Sequence, residues 1–434
     1  MTSLILNNLF AQRKFLMPPE SPRQVYLLNT LKLSHDPFAH PVAEQEINCG
    51  QPEPHFFAYY TDPQTSNFDQ PIPQILRQAR NGLIFGEPGS GKTTLRYTLE
   101  AECRAVPDRT LVVTYELSDA LAQPPAADEH WRNIAQELAI DLFIQVIEQL
   151  DTFDLPTAVQ KQCFRQQMAL AWPRLHRVVA QILKEDLPKT ENGLAGLWWS
   201  LRRPAIRYIH PSARIYNLLS ESAPAQRKVN PEAVAQTAAS IYPSGEAMLK
   251  AGLAAASAWG FKQIFVLVDG VDAYERKVEA MLTLIAPLLE HLAHWQAEKL
   301  FFYFFLTSDM QTPILDSYNK KLNKLPFPPL SHVIEWDESR LSALLQQRFR
   351  AANSRTPGFN ALAASSLAGK LEDSLIQAAQ KSPRRLLRLV SSLIDAHAQN
   401  APKQPLITID DWRHMREYWS YGRPRPPALL LEAC

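Results

Sequence analysis

Glycine is scarce in this 434-residue chain, with 14 residues against 34 prolines. That balance describes helices punctuated by rigid joints. Cysteine is scarcer still. Cys49, Cys103, Cys163 and Cys434 stand far apart and share no metal-ligand spacing, which excludes a disulfide framework and suits a reducing cytosol. Neither sign of charge predominates: Lys+Arg 45 against Asp+Glu 44 leaves +1. The chain as a whole therefore gives no electrostatic case for nucleic acid or membrane. Long hydrophobic runs are missing too. The longest aromatic-aliphatic run, Leu300 to Leu306, falls far below the ~20 residues that span a bilayer. Leu4-Ile5-Leu6 is cut by Asn7-Asn8, too short for a signal peptide. A hydrophobic content of 46% over this length supports buried cores in two or three structural units. A cytoplasmic protein with no membrane partner is expected.

Against that background one stretch stands out. Gly86-Glu87-Pro88-Gly89-Ser90-Gly91-Lys92-Thr93-Thr94 fits the phosphate-loop pattern G-x-x-x-x-G-K-[ST] at every fixed position. Closely spaced glycines let backbone N–H groups curl around a triphosphate without a Cβ in the way. Lys92 brings a point charge to the β- and γ-phosphates, and the Thr93 hydroxyl completes a Mg²⁺ shell. The apolar run Leu83-Ile84-Phe85 before it suits a buried strand. Leu95 and Leu99, one turn apart after it, continue a helix whose positive end faces the phosphates. These residues predict a site for a nucleoside triphosphate.

The rest of the chain frames that loop. Residues 1–75 have little periodicity, and Asp36-Pro37-Phe38 and Phe56-Phe57-Ala58-Tyr59-Tyr60 are their notable clusters. Such aromatics either flank an adenine or pin the segment to the core, and pinning is the favoured reading. Thr110 to Tyr115 reads as a second strand. Residues 119–258 then read as helical, with Trp131, Ile134, Ala135, Leu138, Leu142, Val146, Ile147 and Leu150 at the spacing of one amphipathic helix. Ile264-Phe265-Val266-Leu267-Val268-Asp269 describes a central parallel strand that ends in a carboxylate on the phosphate-loop edge, where Asp269 meets the Mg²⁺ of Thr93. A long helix is expected from Tyr274 to Lys299. Leu300 to Ser308 forms another buried strand, whose polar end, Thr307 or Ser308, either reaches an attacking water or caps the strand. His332 to Trp336 makes a fifth strand. Leu341, Leu344, Leu345 and Phe349 share a helical face, and a last helix starts at Ser382-Pro383-Arg384-Arg385. Serine at the N-cap and proline in the first turn are favourable there, whereas two arginines oppose the macrodipole. A nearby anion, a nucleotide γ-phosphate or an acidic side chain, would remove the conflict.

Charge within the helical block is uneven. From Val112 to Gln160 nine acidic residues face one basic, or −8, and from Lys161 to Asn230 twelve basic face four acidic, or +8. The basic half carries Trp198-Trp199, Arg202-Arg203, Arg207, Tyr208, Arg214 and Tyr216. Basic residues interleaved with aromatics over 198–228 are a candidate nucleic-acid contact. A solvated or self-complementary helical face, or one that meets another subunit, is the favoured alternative.

Phosphate loop, Mg²⁺ aspartate, polar-tipped strand and arginines at a late helix start come in an order that resembles AAA+ ATPases and their STAND relatives, signal-transduction ATPases that use nucleotide as a switch. Val268-Asp269-Gly270-Val271-Asp272 resembles the STAND Walker B motif, with a second acid three residues after the first. Ser382-Pro383-Arg384-Arg385 resembles the sensor 2 region of origin-recognition AAA+ proteins and the lid proline motif of STAND proteins. The resemblance covers about 76–118 and 259–400 and leaves out the helical block. It implies ATP with Mg²⁺ as ligands, phosphate and metal contacts from Lys92 and Thr93, and metal support from Asp269. Asp272 would polarise the attacking water, Thr307 or Ser308 would be sensor 1, and Arg384 or Arg385 sensor 2. Two departures matter. Ala273 stands where STAND motifs continue with an acid, which leaves Asp272 or Glu275 to serve as base. From Ala297 through Ser339 there is no arginine, only Lys299, Lys320, Lys321 and Lys324, so the ring-type arginine finger has no candidate there.

The expected fold is α/β, a P-loop NTPase three-layer sandwich with a five-stranded parallel sheet, a large helical insertion and a C-terminal helical lid. Its parts are an N-terminal segment on the core (1–75), the nucleotide core (76–118 and 259–337), the insertion (119–258), the lid (338–400) and a C-terminal helix and tail (401–434). The expected function is a slow Mg²⁺-dependent ATPase that acts as a switch in signalling or defence, with lid closure relayed through the insertion to a protein partner or a second copy. A DNA-associated AAA+ ATPase and a non-hydrolysing ATP-binding scaffold are the competing readings.

Overall fold

Five apolar runs form one sheet. In the computed structural model, which describes residues 20–47, 55–63, 71–105, 109–117, 123–148, 157, 241–274, 277–352 and 358–418, the strands are β1 (Gly82–Phe85), β2 (Thr110–Glu116), β3 (Gln263–Asp269), β4 (Leu300–Leu306) and β5 (Leu330–Val333). All pairings are parallel, in the order β2-β3-β4-β1-β5. β3 and β4 are buried almost throughout, as strands covered on both faces must be. The fifth strand begins two residues earlier than its apolar pattern indicated and ends at Val333, before Ile334-Glu335-Trp336.

The strand order decides which helix covers which face. From β1 the chain steps past β4 and β3 to reach β2, while every later connection steps the opposite way. With right-handed crossovers, the helix after β1 lies on one face and the later helices on the other. The first is α1 (Lys92–Ala105). Opposite it lie α2 (Ala127–Glu148), α3 (Gly245–Ala258), α5 (Val278–Glu290), α6 (Leu292–Ala297) and α7 (Gln311–Leu322), with the short α4 (Val271–Tyr274) at the end of β3. Alternate strand residues divide accordingly. Leu111, Val113, Val266, Val268, Phe302 and Phe304 join the core built with α2, α3, α5 and α6. Phe265, Phe301 and Tyr303 pack together between them, on the α1 side.

Both described ends of the helical block are thus part of this sheet layer. Trp131, Ile134, Ala135, Leu138, Leu142 and Val146 of α2 are buried in the same core as Met248 and Leu249 of α3. Residues 149–240, including the basic-aromatic stretch 198–228, lie outside the described residues except Thr157. The helix expected from Tyr274 to Lys299 is broken into α5 and α6 at His291. Pro287 withholds a helical N–H, and its carbonyl accepts a hydrogen bond from the His291 ring at 2.8 Å.

A second compact unit comprises residues 1–42 and 336–434, and the sheet unit residues 43–335. Residues 1–75, expected as one segment on the core, are therefore divided between the two. In the second unit, α8 (Glu338–Ala351), α9 (Leu371–Ala379), α10 (Pro383–Asn400) and α11 (Ile409–Tyr418) pack with the segment from Glu20 to Val42. Arg23 pairs with Asp36 and, at 2.8 Å, with Asp395, and Phe38 packs on Phe349 and Phe359. The cluster Asp36-Pro37-Phe38 is thus a pin, but it pins this helical unit. Phe56 pins the sheet unit, packed edge-on against Tyr97 of α1.

Candidate functional site

The glycine loop joins β1 to α1 at the C-terminal edge of the sheet. Its position has a topological reason. The connection leaving β1 runs to one face and that leaving neighbouring β4 to the other, which opens a crevice between them at this edge. Gly89 and Gly91 carry φ of 85° and 96°, the left-handed region that side chains avoid. The turn closes with Ser90 N–H donating to Glu87 O at 3.0 Å, and α1 begins with Leu95 N–H donating to Gly91 O at 2.9 Å. Lys92 is buried, and its ammonium donates to the carbonyls of Gly86 at 2.7 Å and Glu87 at 3.2 Å. Glu87 and Pro88 are exposed at the tip, while Thr93 and Thr94 are half-buried in the first turn.

Across this turn stands the end of β3. The Thr93 hydroxyl donates to Asp269 Oδ2 at 3.2 Å, so two residues 176 apart in sequence meet. The other carboxylate oxygen, Oδ1, accepts the N–H of Gly270 at 2.9 Å. Gly270 is held at φ 77°, and a Cβ there would come within 2.5 Å of Leu117 O. Leu117 N–H in turn donates to Asp269 O at 2.9 Å. These contacts fasten the end of β2 to the end of β3.

One cation was missed in the sequence. Arg96, on the second turn of α1, is fully buried with its guanidinium 3.1 Å from Asp269 Oδ2 and 2.9 Å from Glu116 Oε1. Its charged carbon also lies 4.4 Å from the centre of the Tyr97 ring. Burial opposes the charge, but Asp269 outweighs that cost with help from Tyr97, Glu116 and Glu100, and the guanidinium is held above its ordinary pKa. The contacts to the carboxylates are charge contacts whose angles are poor for hydrogen bonds. Glu116 is the register partner of Asp269 on the adjacent strand. A signal for it existed: both strands end in an acid after a β-branched or apolar run.

The other expected residues are more scattered. Asp272 sits in the first turn of α4, half-buried, and Glu275 lies outside the described residues. Thr307 is buried at the end of β4 and begins a short 3-10 turn without a side-chain cap, its hydroxyl 3.9 Å from the Met281 sulfur. Ser308 follows, half-buried. Arg384 and Arg385 belong to the other unit, in the first turn of α10, where Ser382 Oγ accepts the Arg385 N–H at 3.3 Å as the N-cap. Arg385 donates to the Gln380 side-chain carbonyl at 2.6 Å, and among the described residues no carboxylate pairs with either arginine. The acidic side chain considered for them is therefore not found. Gln380 and Lys381, just ahead of the cap, both have positive φ, 51° and 60°.

Among the described residues no cluster of three His, Cys, Asp or Glu side chains could hold a metal by itself. Thr93 and Asp269 supply two hard oxygens. That sparse set fits Mg²⁺, which keeps several waters and completes its octahedron with substrate phosphates. It fits no metal that demands a full protein cage. Among the described residues no helix is long and apolar enough to cross a membrane. No protein-family model matches the sequence, and no curated protein matches it significantly. The chemistry of the site is set by the atoms above.

Proposed function

We propose that this chain is an ATP-binding P-loop ATPase with a slow, Mg²⁺-dependent turnover, working as a nucleotide switch. The observation that carries the reading is the meeting of Thr93 and Asp269 beside the Lys92 loop. A left-handed glycine turn at a helix N-terminus offers backbone N–H groups to phosphate oxygens, and a buried ammonium adds the charge. When Mg²⁺ is bound it would neutralise charge between the β- and γ-phosphates, with Thr93 and Asp269 as its protein side. Lys92 would exchange its bonds to the Gly86 and Glu87 carbonyls for phosphate oxygens. The crevice position supports the same reading, since α/β sheets bind ligands where their connections diverge. Turnover is expected to be slow because the stretch from Ala297 through Ser339 has no arginine to act as a finger. The arginines at the start of α10, which no carboxylate pairs among the described residues, are suited to binding an anion.

The experiment is nucleotide binding and turnover by the full chain. A fluorescent ATP analogue should bind in the presence of Mg²⁺, and Lys92→Ala should weaken it by at least ~10-fold, since a hydrogen bond involving a charge is worth about 1.5–3 kcal/mol. Equal binding by wild type and Lys92→Ala would remove the phosphate-loop assignment. Turnover that rises several-fold with DNA would favour the DNA-associated reading. Tight binding without any turnover would leave a scaffold.

A further inference from the structure

Hydrolysis needs a carboxylate that holds and polarises the attacking water, and among the described residues the edge of this sheet carries two candidates, Glu116 and Asp272. We propose that the water-polarising carboxylate is Glu116, fixed in place by Arg96, and that it is not Asp272. The inference rests on the ATPase reading of the site.

Glu116 stands on the last residue of a strand. It lies directly beside Asp269, one strand spacing away, and residues in parallel register project to the same face. That face is the one α1 covers, where Thr93 and Arg96 both touch Asp269 Oδ2. The metal-binding pair and Glu116 are thus joined through a single guanidinium, 3.1 Å from one acid and 2.9 Å from the other. Leu117, next to Glu116, is tied by its N–H to the Asp269 backbone and pressed against Gly270. A displacement of Asp269 would therefore be felt at Glu116. Exposure also differs in the way proton transfer requires. The Arg96 side chain is 1% exposed and that of Glu116 33%, so water reaches the carboxylate while its anchor is dry. Asp272 lacks such support. It is carried by a four-residue helix, and no hydrogen bond or ion pair to it is found among the described residues. A catalytic group is positioned by its neighbours, and of the two acids only Glu116 has an ion-pair partner among the described residues.

The step balances. The water oxygen forms a bond to the γ-phosphorus while the bond from that phosphorus to the β,γ-bridging oxygen breaks. The water proton passes to the Glu116 carboxylate, and the bridging oxygen leaves with the electron pair as part of ADP. Glu116 then returns its proton to solvent through its exposed side. Arg96, whose buried side chain would act through its pair with Glu116, is a positioning residue.

The test is single-turnover hydrolysis of γ-labelled ATP with Mg²⁺ by the full chain, with analogue binding and thermal unfolding measured alongside. Glu116→Gln keeps the shape of the side chain and should bind the analogue within about threefold of wild type. Its hydrolysis should fall at least ~100-fold, the scale of a lost general base. Glu116→Asp, which withdraws the carboxylate by one methylene, should be slowed as well, and guards against a folding defect in the first variant. Asp272→Asn should be at least tenfold faster than Glu116→Gln. Turnover by Glu116→Gln within threefold of wild type, or a slower Asp272→Asn, overturns the inference and leaves the ATPase reading intact. Wild type that binds ATP and never hydrolyses it overturns the inference and the hydrolytic half of that reading. Wild type that binds no ATP removes both.

Discussion

At the scale of single residues, the most consequential side chain is one whose role the sequence hides. Arg96 sits between Leu95 and Tyr97 in a helix with charged residues on several turns, a pattern that reads as an ordinary solvated face. Burial reverses that. The guanidinium has no exposure and neighbours two carboxylates at the ends of adjacent strands. Replacing it by an apolar side chain of similar length leaves Asp269 and Glu116 side by side without a cation. Breaking a fully buried ion pair costs ~3–5 kcal/mol, but Glu116 still reaches water, so Arg96→Met should lose about 2–3 kcal/mol. Arg96→Lys, which keeps charge but not the fork, should fall between it and wild type. Urea unfolding of both variants checks this, and an Arg96→Met as stable as wild type would show that the acids need no counter-charge. The glycine loop at residues 86–94 was legible as a turn between strand and helix because closely spaced glycines follow an apolar run. Its partner Asp269 was legible because a carboxylate straight after five apolar residues marks the point where a buried strand emerges at the sheet edge. Arg96 lacked that signal, since it belongs to no spaced pattern, and its meeting with Glu116, which also ends a strand, depends on strand order.

At the scale of elements, apolar runs marked all five strands, with bounds that shifted by up to three residues, most at the fifth strand. The connections were harder to see. Asn81, immediately before β1, shows why: it is a fully buried polar residue amid strands. Its amide donates to Gln296 Oε1 on α6 at 3.0 Å, its side-chain oxygen accepts the Phe302 N–H of β4 at 2.8 Å, and its backbone oxygen accepts the Leu330 N–H of β5 at 2.8 Å. One asparagine thus joins the starts of three parallel strands to a helix. Hydropathy cannot report this, because a polar residue at a strand start is normally solvated. Asn81→Leu leaves the Phe302 N–H and the Gln296 carbonyl buried without that partner, and each orphan costs about 1–3 kcal/mol. The expected loss is about 2–4 kcal/mol, seen as a lower urea midpoint with an unchanged slope. A neutral substitution would mean that water replaces the amide.

At the scale of the whole molecule, the division at 335/336 lies two residues from the expected end of the core at 337, whereas the one at 42/43 escaped the sequence because the segment from Glu20 to Val42 has no periodicity. Its place is fixed by pairs such as Arg23–Asp395, 372 residues apart. The two units also carry buried histidines of opposite character. In the sheet unit, His130 Nδ1 faces the Tyr115 hydroxyl at 2.8 Å and Nε2 the Leu284 carbonyl at 3.0 Å. A neutral ring satisfies both, since the hydroxyl can donate to it. Burial pushes this histidine down to about 4, against the opposing pull of Leu284 O. In the second unit, His397 Nδ1 faces Asp411 Oδ2 at 2.8 Å and Nε2 the Gln404 carbonyl at 2.8 Å. Two acceptors require two N–H groups, so this ring is the imidazolium. Burial opposes the charge, but Asp411 and Gln404 raise the pKa above its ordinary value. Asp411 itself goes down to about 2, its bonds from His397, Thr408 and Asn400 overcoming burial.

The consequences for stability have opposite signs. His130 is protonated in the unfolded chain below about 6.5 but resists protonation in the fold, so the sheet unit loses stability as pH falls from about 6.5 towards 4. The loss should reach roughly 1 kcal/mol near pH 5.5 from this group. His397 contributes fully below about 6.5, and its contribution is lost as pH rises through its raised folded value. The share from Asp411 is constant above about pH 4, since its unfolded value is near 3.9. Raising the pH from 5.5 to 8.5 should therefore strengthen the sheet unit and weaken the second unit, with α10 and α11 loosening first. Pulse proteolysis in urea at pH 5.5, 7 and 8.5, with fragments identified by mass, separates the two. His397→Gln should flatten the alkaline loss in fragments from residues 336–434 and leave the sheet unit unchanged. If both units moved in the same direction, or the variant kept its alkaline loss, the charged His397–Asp411 clip would not be what joins α10 to α11.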